Sequence, residues 1–328
     1  MMNNEVNLKQ FIYREEILGN IPKSEENKEV FNIAFGVDAY FVPQMGIMIT
    51  SILLNNPDCK LHVHAFLNSI QDEDIDKLKT LSNQYRNIQI DIYYIDVSVF
   101  DNFHVGKSYT VATYNRIIVA QVLYPAISKL LYIDADTLCI GKISALKNLS
   151  FDDRMILAVL DRGDWLPAHK QEIGMPESQD YFNAGVLYID LQKWNEFKMS
   201  EKMIELLNER KLSFQDQDAL NLIAVGQIKA IPVGFNRFFL MNEENEDISP
   251  DTLFLHFAGS LKPWQPWCND PQRAVYYEYL NKSLWKDFVY NPRNYHEKRM
   301  MGNAALSQKQ FLMALKWYSL YVGEKLKS

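Results

Sequence analysis

Hydrophobic and polar positions follow two periods along this chain, and the change from one to the other marks out its elements. Short apolar runs occur at residues 31–37, 61–67, 88–95 and 130–133. Runs of this length, rich in branched and aromatic residues and bounded by polar breaks, read as strands. Between them, residues 42–54, 72–85 and 109–123 carry helical spacing, the last ended near Pro125. In the second helix Ile75, Leu78 and Leu81 share a face, and Ser69 or Asp72 is the expected start cap. Strands and helices alternating at this spacing predict a parallel, doubly wound α/β sheet. Past residue 136 the alternation loosens. Residues 155–160, 185–189 and 253–257 read as strands, and 193–210 and 218–225 as helices.

The two ends differ from this body. Residues 1–30 are polar and are expected to form an arm or a short helix. No repeat, low-complexity tract or Pro/Gly linker divides residues 31–270, so the body is expected to span 31–280. The remaining segment, 281–328, ends in a helix over 306–327. On a helical wheel Phe311, Leu315, Tyr318 and Val322 share one face of it, and Lys309, Lys316 and Lys327 lie nearly opposite. Leu320 falls among the lysines, and Lys325 at the apolar edge. Such a helix either lies in a membrane interface or packs on the body with a solvated Lys face.

Composition narrows the class. The chain has 328 residues, 48% of them apolar, enough for a sizeable core in one large domain with an appendage. Its net charge of −7 argues against a nucleic-acid binder. Residues 282–328 hold 9 Lys+Arg against 3 Asp+Glu, whereas the rest holds 25 against 38. A basic tail on an acidic body suggests an anionic partner for the tail. Cys59, Cys139 and Cys268 lack metal-ligand spacing and suit thiols of a reducing compartment. The first residues are charged, without the apolar core of a secretion signal, and no apolar run nears the ~20 residues of a membrane span. A cytosolic protein that touches a membrane without crossing it is expected.

Candidate chemistry centres on Leu131-Tyr132-Ile133-Asp134-Ala135-Asp136. A buried strand that ends in two acids delivers them to the rim of an α/β sheet, where ligands bind. Asp134 and Asp136 could clamp a hard divalent cation, or merely cap a turn. No glycine-rich phosphate cradle is present, so a bound nucleotide would need a metal and placed cations. His256 ends the apolar run 253–255 and precedes Gly259 and Lys262-Pro263-Trp264. It is a candidate metal ligand beside a phosphate-binding Lys, or a core histidine. His62 and His64 alternate with Val63 and point to one face of a strand. His104, His169 and His296 lie in polar surroundings with no evident partner. Asn183 could orient a substrate hydroxyl, or support a turn with Gly185. In Gln215-Asp216-Gln217-Asp218 the acids suit a helix cap, and the whole also suits sugar hydroxyls. Arg116 could pair a diphosphate or a carboxylate, or be a surface residue.

In order, Asn32-Ile33-Ala34-Phe35-Gly36-Val37-Asp38, Thr113-Tyr114-Asn115-Arg116, the acidic stretch, Tyr181-Phe182-Asn183-Ala184-Gly185, Asp216-Gln217-Asp218 and His256 through Trp264 resemble glycosyltransferase family 8. They look most like its bacterial lipopolysaccharide core glucosyl- and galactosyltransferases. The resemblance covers roughly residues 31–270, and the basic tail also looks like the tails of those members. It implies the fold called GT-A, a Rossmann-like mixed α/β sheet with a helical C-terminal extension. It implies a UDP-hexose donor, Mn²⁺ or Mg²⁺, retention of anomeric configuration, and a lipopolysaccharide acceptor met peripherally at the inner membrane. By motif, Asp134, Asp136 and His256 would hold the metal. Gly36 and Asp38 would line the uracil and ribose site, and Arg116 and Ala135 would contact the donor. Gly259 and Lys262 would hold the diphosphate. Asp161, Asn183, Asp216 and Gln217 would surround the transferred sugar. The chain departs from the family in having Tyr40-Phe41 where an Asn-aromatic pair is usual, and Gln265 where a His often follows Lys-Pro-Trp.

Overall fold

The structure, a computed structural model, describes residues 7–21, 30–106, 110–245 and 247–327. In chain order its elements are β1 (Ile12–Gly19), β2 (Val30–Val37), α1 (Val42–Asn55), β3 (Lys60–Leu67), α2 (Asp72–Gln84), β4 (Ile88–Ile95), α3 (Asn115–Leu123), β5 (Lys129–Ile133), β6 (Thr137–Cys139) and β7 (Ile156–Leu160). Then follow α4 (Leu166–Ile173), β8 (Phe182–Asp190), α5 (Leu191–Glu196), α6 (Met199–Glu209), α7 (Gln215–Ile223), β9 (Ile228–Ala230), β10 (Arg237–Phe238), β11 (Phe254–His256), α8 (Ala274–Lys282), α9 (Tyr295–Ser307) and α10 (Phe311–Lys325).

The apolar runs become the centre of an eight-stranded sheet of order β1-β4-β3-β2-β5-β8-β7-β9. β2, β3, β4 and β5 run parallel, as the strand–helix alternation requires. β8 then enters antiparallel to both β5 and β7, so the sheet is mixed. Ile33, Phe35, Leu61, Val63, Leu130 and Ile133 are almost wholly inaccessible to water. Each such side chain contributes about 1.5–3 kcal/mol by leaving solvent. A second, three-stranded sheet of order β10-β11-β6 begins where the chain leaves β5.

Four expectations are corrected. The polar stretch at the N-terminus is not merely an arm, because Ile12–Gly19 pairs antiparallel with β4 as the edge strand. An edge strand needs only one apolar face, so Arg14, Glu15 and Glu16 do not exclude it. α2 starts without a side-chain cap, its N-cap being Gln71. The helix expected over 193–210 is two helices, broken at Lys198, whose φ is +55°. The one expected over 109–123 begins, among described residues, as a tight 3-10 turn at Val111–Tyr114.

The chain forms two compact units. It divides after Phe238 and after His256, and the segment Asp247–His256 belongs with the first unit rather than the second. The expected boundary at 281 therefore falls inside the second unit. There α9 and α10 make a helical hairpin. Tyr318 packs on Gly302, its hydroxyl donates to Asn303 Oδ1 at 2.8 Å, and Lys298 pairs with Glu324. The side turned to α9 carries Ala314, Trp317, Tyr318 and Tyr321. Of the four residues expected to share one apolar face, Tyr318 is on that side. Phe311, Leu315 and Val322 are 68%, 67% and 49% exposed. The described helices include none long and apolar enough to cross a membrane.

Candidate active site

β5 ends at Ile133, opposite Val186 of β8. The next residue, Asp134, donates its N–H to Gly185 O at 2.8 Å, so the backbone is pinned as it leaves the sheet. The chain then turns through buried Ala135 and Asp136 into β6. β6 pairs antiparallel with β11, in register Thr137↔His256. That pairing closes the long loop between positions 136 and 256. One oxygen each of Asp134 and Asp136 and a nitrogen of His256 lie within 4.8 Å of one another.

A relay of side-chain amides decides which nitrogen of His256 faces the acids. Gly185 N–H donates to Asn183 Oδ1 at 2.9 Å, which identifies that atom as the oxygen. The same oxygen accepts from Asn236 Nδ2 at 2.8 Å. Asn236 Oδ1 is therefore the atom 3.0 Å from His256 Nδ1, and Nδ1 must carry the proton. That leaves Nε2 as the ring atom turned to Asp136 Oδ1, 3.4 Å away. From there it can share a cation with Asp136 and Asp134, whose ligating oxygens lie within 4.8 Å. Two carboxylates and one imidazole fit Mn²⁺ in particular, which accepts both O and N donors. Gly185 makes room for the ring, since a Cβ there would sit 2.4 Å from His256 Cε1.

Arg116 stands behind the acids. Its Nη2 donates to Asp134 Oδ1 at 2.9 Å, its Nε meets Asp216 Oδ2 at 2.6 Å, its Nη1 donates to Ala184 O, and its guanidinium lies over the Tyr132 ring. Burial alone would lower its pKa; the carboxylates of Asp134 and Asp216 more than reverse this, so it stays charged. Burial pushes the Asp216 carboxyl up, against Arg116 and the Thr113 hydroxyl, which donates to it at 2.7 Å. Three carboxylates, those of Asp134, Asp136 and Asp216, face one guanidinium. With all of them ionised the group carries two net negative charges, the complement of a divalent cation.

The family sequence pattern described as Glycosyl transferase family 8 matches residues 32–268. The chain belongs to glycosyltransferase family 8. It is 31% identical over 309 residues to a lipopolysaccharide 1,3-galactosyltransferase of Salmonella typhimurium, covering 90% of this chain and 91% of that one. It is also 31% identical over 319 residues to lipopolysaccharide glucosyltransferase WaaO of Escherichia coli, covering 93% and 94%. Among solved structures it resembles galactosyltransferase LgtC in complex with donor and acceptor sugar analogues, with a TM-score of 0.65, 24% identity, and coverage of 80% of this chain and 98% of that one. The fold of this family 8 chain is GT-A, with a helical C-terminal extension.

The other expected site residues of this family 8 chain fall as follows. Asp161, just past β7, accepts from Asn183 Nδ2 at 3.1 Å, Gln217 Nε2 at 2.9 Å and Arg162 N at 2.8 Å. Gln217 Oε1 accepts from Ala184 N–H at 2.9 Å. Asp161, Asn183 and Gln217 are thus one connected group, whereas Asp216 is held by Thr113 and Arg116. Neither Asp216 nor Asp218 is the N-cap of α7, which is Phe214; Asp218 Oδ2 accepts from the Phe214 N–H at 2.8 Å. Asp218 instead anchors a buried layer, accepting from Tyr181 OH at 2.5 Å and lying 2.7 Å from His169 Nε2. His169, expected to have no partner, therefore has one. Gly36 admits the side chain of Asn115 and the Tyr132 hydroxyl, both of which a Cβ would strike. Asp38 Oδ1 accepts from Tyr40 N and Phe41 N, forming the turn into α1. In the second unit Gly259 has φ +83°, and Lys262 Nζ donates to Phe257 O at 2.6 Å. Gln265 Oε1 accepts from Lys262 N at 2.9 Å, which closes that loop. Asn236 was not foreseen, since nothing in its neighbourhood of the sequence resembles a motif.

Proposed function

We propose that this family 8 protein transfers a hexose, glucose or galactose, from a UDP-sugar to the core oligosaccharide of lipopolysaccharide, with retention and in an α linkage. The observation that carries this is the convergence of His256 Nε2 on Asp136 and Asp134, their ligating atoms all within 4.8 Å of one another. Those three residues would hold Mn²⁺ or Mg²⁺. When bound, the ion acts as a Lewis acid for the leaving diphosphate. Arg116 holds Asp134 through Nη2 and is itself anchored on Asp216 and Ala184 O; on its motif it is assigned to the donor. Asp161, gripped by the Asn183 and Gln217 amides, presents a fixed carboxylate to sugar hydroxyls. Gln217 serves as a positioning residue, because its carbonyl oxygen is engaged by Ala184 N–H. Gly36 and Asp38 are assigned to the nucleoside, Ala135 to the donor, and Gly259 and Lys262 to the diphosphate, on the motifs.

The acceptor reading draws on the two lipopolysaccharide glycosyltransferases named above and on α10. Phe311, Leu312, Leu315 and Leu326 are exposed on a segment that also carries Lys309, Lys316 and Lys325. Apolar side chains for the acyl boundary and lysines for anionic headgroups suit peripheral attachment to the inner face of the cytoplasmic membrane.

The test is UDP release from UDP-glucose and UDP-galactose, side by side, with a truncated lipopolysaccharide acceptor, in Mn²⁺ and after chelation. Release is expected to need both metal and acceptor. No metal-dependent release from either donor would overturn the proposal. Equal release with a soluble oligosaccharide or a protein acceptor would move the activity to that substrate class. In the same assay Lys262→Ala is expected to raise the Kd for UDP at least tenfold, and an unchanged Kd would remove Lys262 from the site.

A further inference from the structure

A second cluster of metal-ligating side chains lies elsewhere in the main sheet. His62 and His64 are two residues apart on β3, and their side chains share a face. Their rings are 4.1 Å apart, centroid to centroid. The parallel register sets Asp91 of β4 opposite His64, and Gln89 opposite His62. His62 Nε2 lies 2.7 Å from Asp91 Oδ2 and 3.2 Å from Gln89 Nε2. Gln89 Nε2 also donates to Asp91 Oδ1 at 2.9 Å. His64, buried, has longer contacts, 3.2 Å from Nε2 to Asn32 Oδ1 and 3.4 Å from Nδ1 to Tyr93 OH. One ligating atom from each of His62, His64 and Asp91 lies within 4.8 Å of the other two.

A hydrogen bond from His62 to Asp91 accounts for the 2.7 Å contact but not for the second imidazole set close beside it with only long contacts. A shared ion accounts for both. Zinc–nitrogen bonds of about 2.0–2.1 Å put tetrahedral ligands about 3.3 Å apart. Pairs at the 4.8 Å limit would close by about 1.5 Å and the 2.7 Å pair of His62 Nε2 and Asp91 Oδ2 would open by about 0.6 Å, both within the reach of χ rotations.

We propose that His62, His64 and Asp91 bind a second divalent ion of the zinc class, which ties β3 to β4. Two imidazoles and one carboxylate select a borderline transition ion over Mg²⁺. Gln89 and Asn32 supply the outer hydrogen bonds that orient metal ligands. The site is distinct from the acids at the end of β5, and its failure would leave the transferase reading untouched.

The experiment uses metal-stripped, full-length Asp136→Asn protein, in which the active-site cluster is disabled, titrated with Zn²⁺ alone by calorimetry and followed by thermal melting. One equivalent of zinc is expected to bind and to raise Tm. Adding His62→Gln, or separately Asp91→Asn, is expected to weaken zinc at least tenfold and to remove the rise in Tm. His62 and Asp91 are both partly exposed, and circular dichroism establishes that each variant is folded. Should His62→Gln not fold, Asp91→Asn decides alone. No zinc uptake by the Asp136→Asn protein, or unchanged uptake in the folded double variants, overturns the proposal.

Discussion

Asn236 lies twenty residues before His256 in the chain, yet it determines what that histidine can do. With Nδ1 holding a proton for Asn236, Nε2 is the atom presented to Asp136. Loss of an outer hydrogen bond of this kind costs roughly 10–100-fold in metal affinity. Asn236→Ala is therefore expected to raise the Kd for Mn²⁺ by about that factor with circular dichroism unchanged. Calorimetry giving the wild-type Kd would show that the relay is not needed. Asp136→Ala, which removes a ligand outright, is expected to abolish turnover in a protein that still melts cooperatively; retained metal-dependent turnover would contradict the assignment. Cys139 offers a check of the core. Burial pushes its thiol up to about 12, and burial also raises Cys59, which is more accessible. Near neutral pH the native protein is expected to alkylate slowly at Cys59 and not at Cys139, as peptide mapping would reveal. At this scale the two acids and His256 were legible because an apolar run ending in polar residues places those residues at a strand's end. Asn236 was not, because its partners come from β8 and β11 and leave no trace near position 236.

Arg116 and Asp216 show how elements support the site. One begins α3 and the other α7, and both face inward, where the sequence allowed a surface arginine and a helix cap. Asp216 is 3% exposed and Arg116 7%. Removing one partner of such a buried pair leaves an uncompensated charge, at a cost of about 3–5 kcal/mol. Arg116→Ala is expected to lose that much stability in urea unfolding, and a loss below about 1 kcal/mol would mean that the carboxylates find other partners. On α10 the wheel left open what would cover the apolar face. Its apolar residues span too wide an arc for one covered stripe, and the small residue Gly302 on α9 decided which side packs by admitting Tyr318. The outward arc makes a prediction of its own. Phe311→Glu with Leu315→Glu, both at exposed positions, is expected to cut sedimentation with anionic vesicles at least tenfold without changing the Kd for Mn²⁺. Unchanged sedimentation would remove α10 from the membrane interface.

Over the whole molecule, the strands from β2 to β5 and their crossover helices could be read directly from the chain. Apolar runs of strand length separated by helical periods have few ways to bury themselves, and a parallel α/β sheet is the chief one. The acidic body, the basic tail and the residue types suited to a divalent ion likewise follow from composition and order alone. What the linear pattern left open was decided by pairing between distant segments. β1 joined the sheet because β4 had a free edge, β8 entered antiparallel, and β6 left the sheet to meet β11 and bring His256 to Asp134 and Asp136. Periodicity reports which side of an element is apolar. It does not report which partner covers that side, and convergence of residues more than a hundred positions apart depends on that partner.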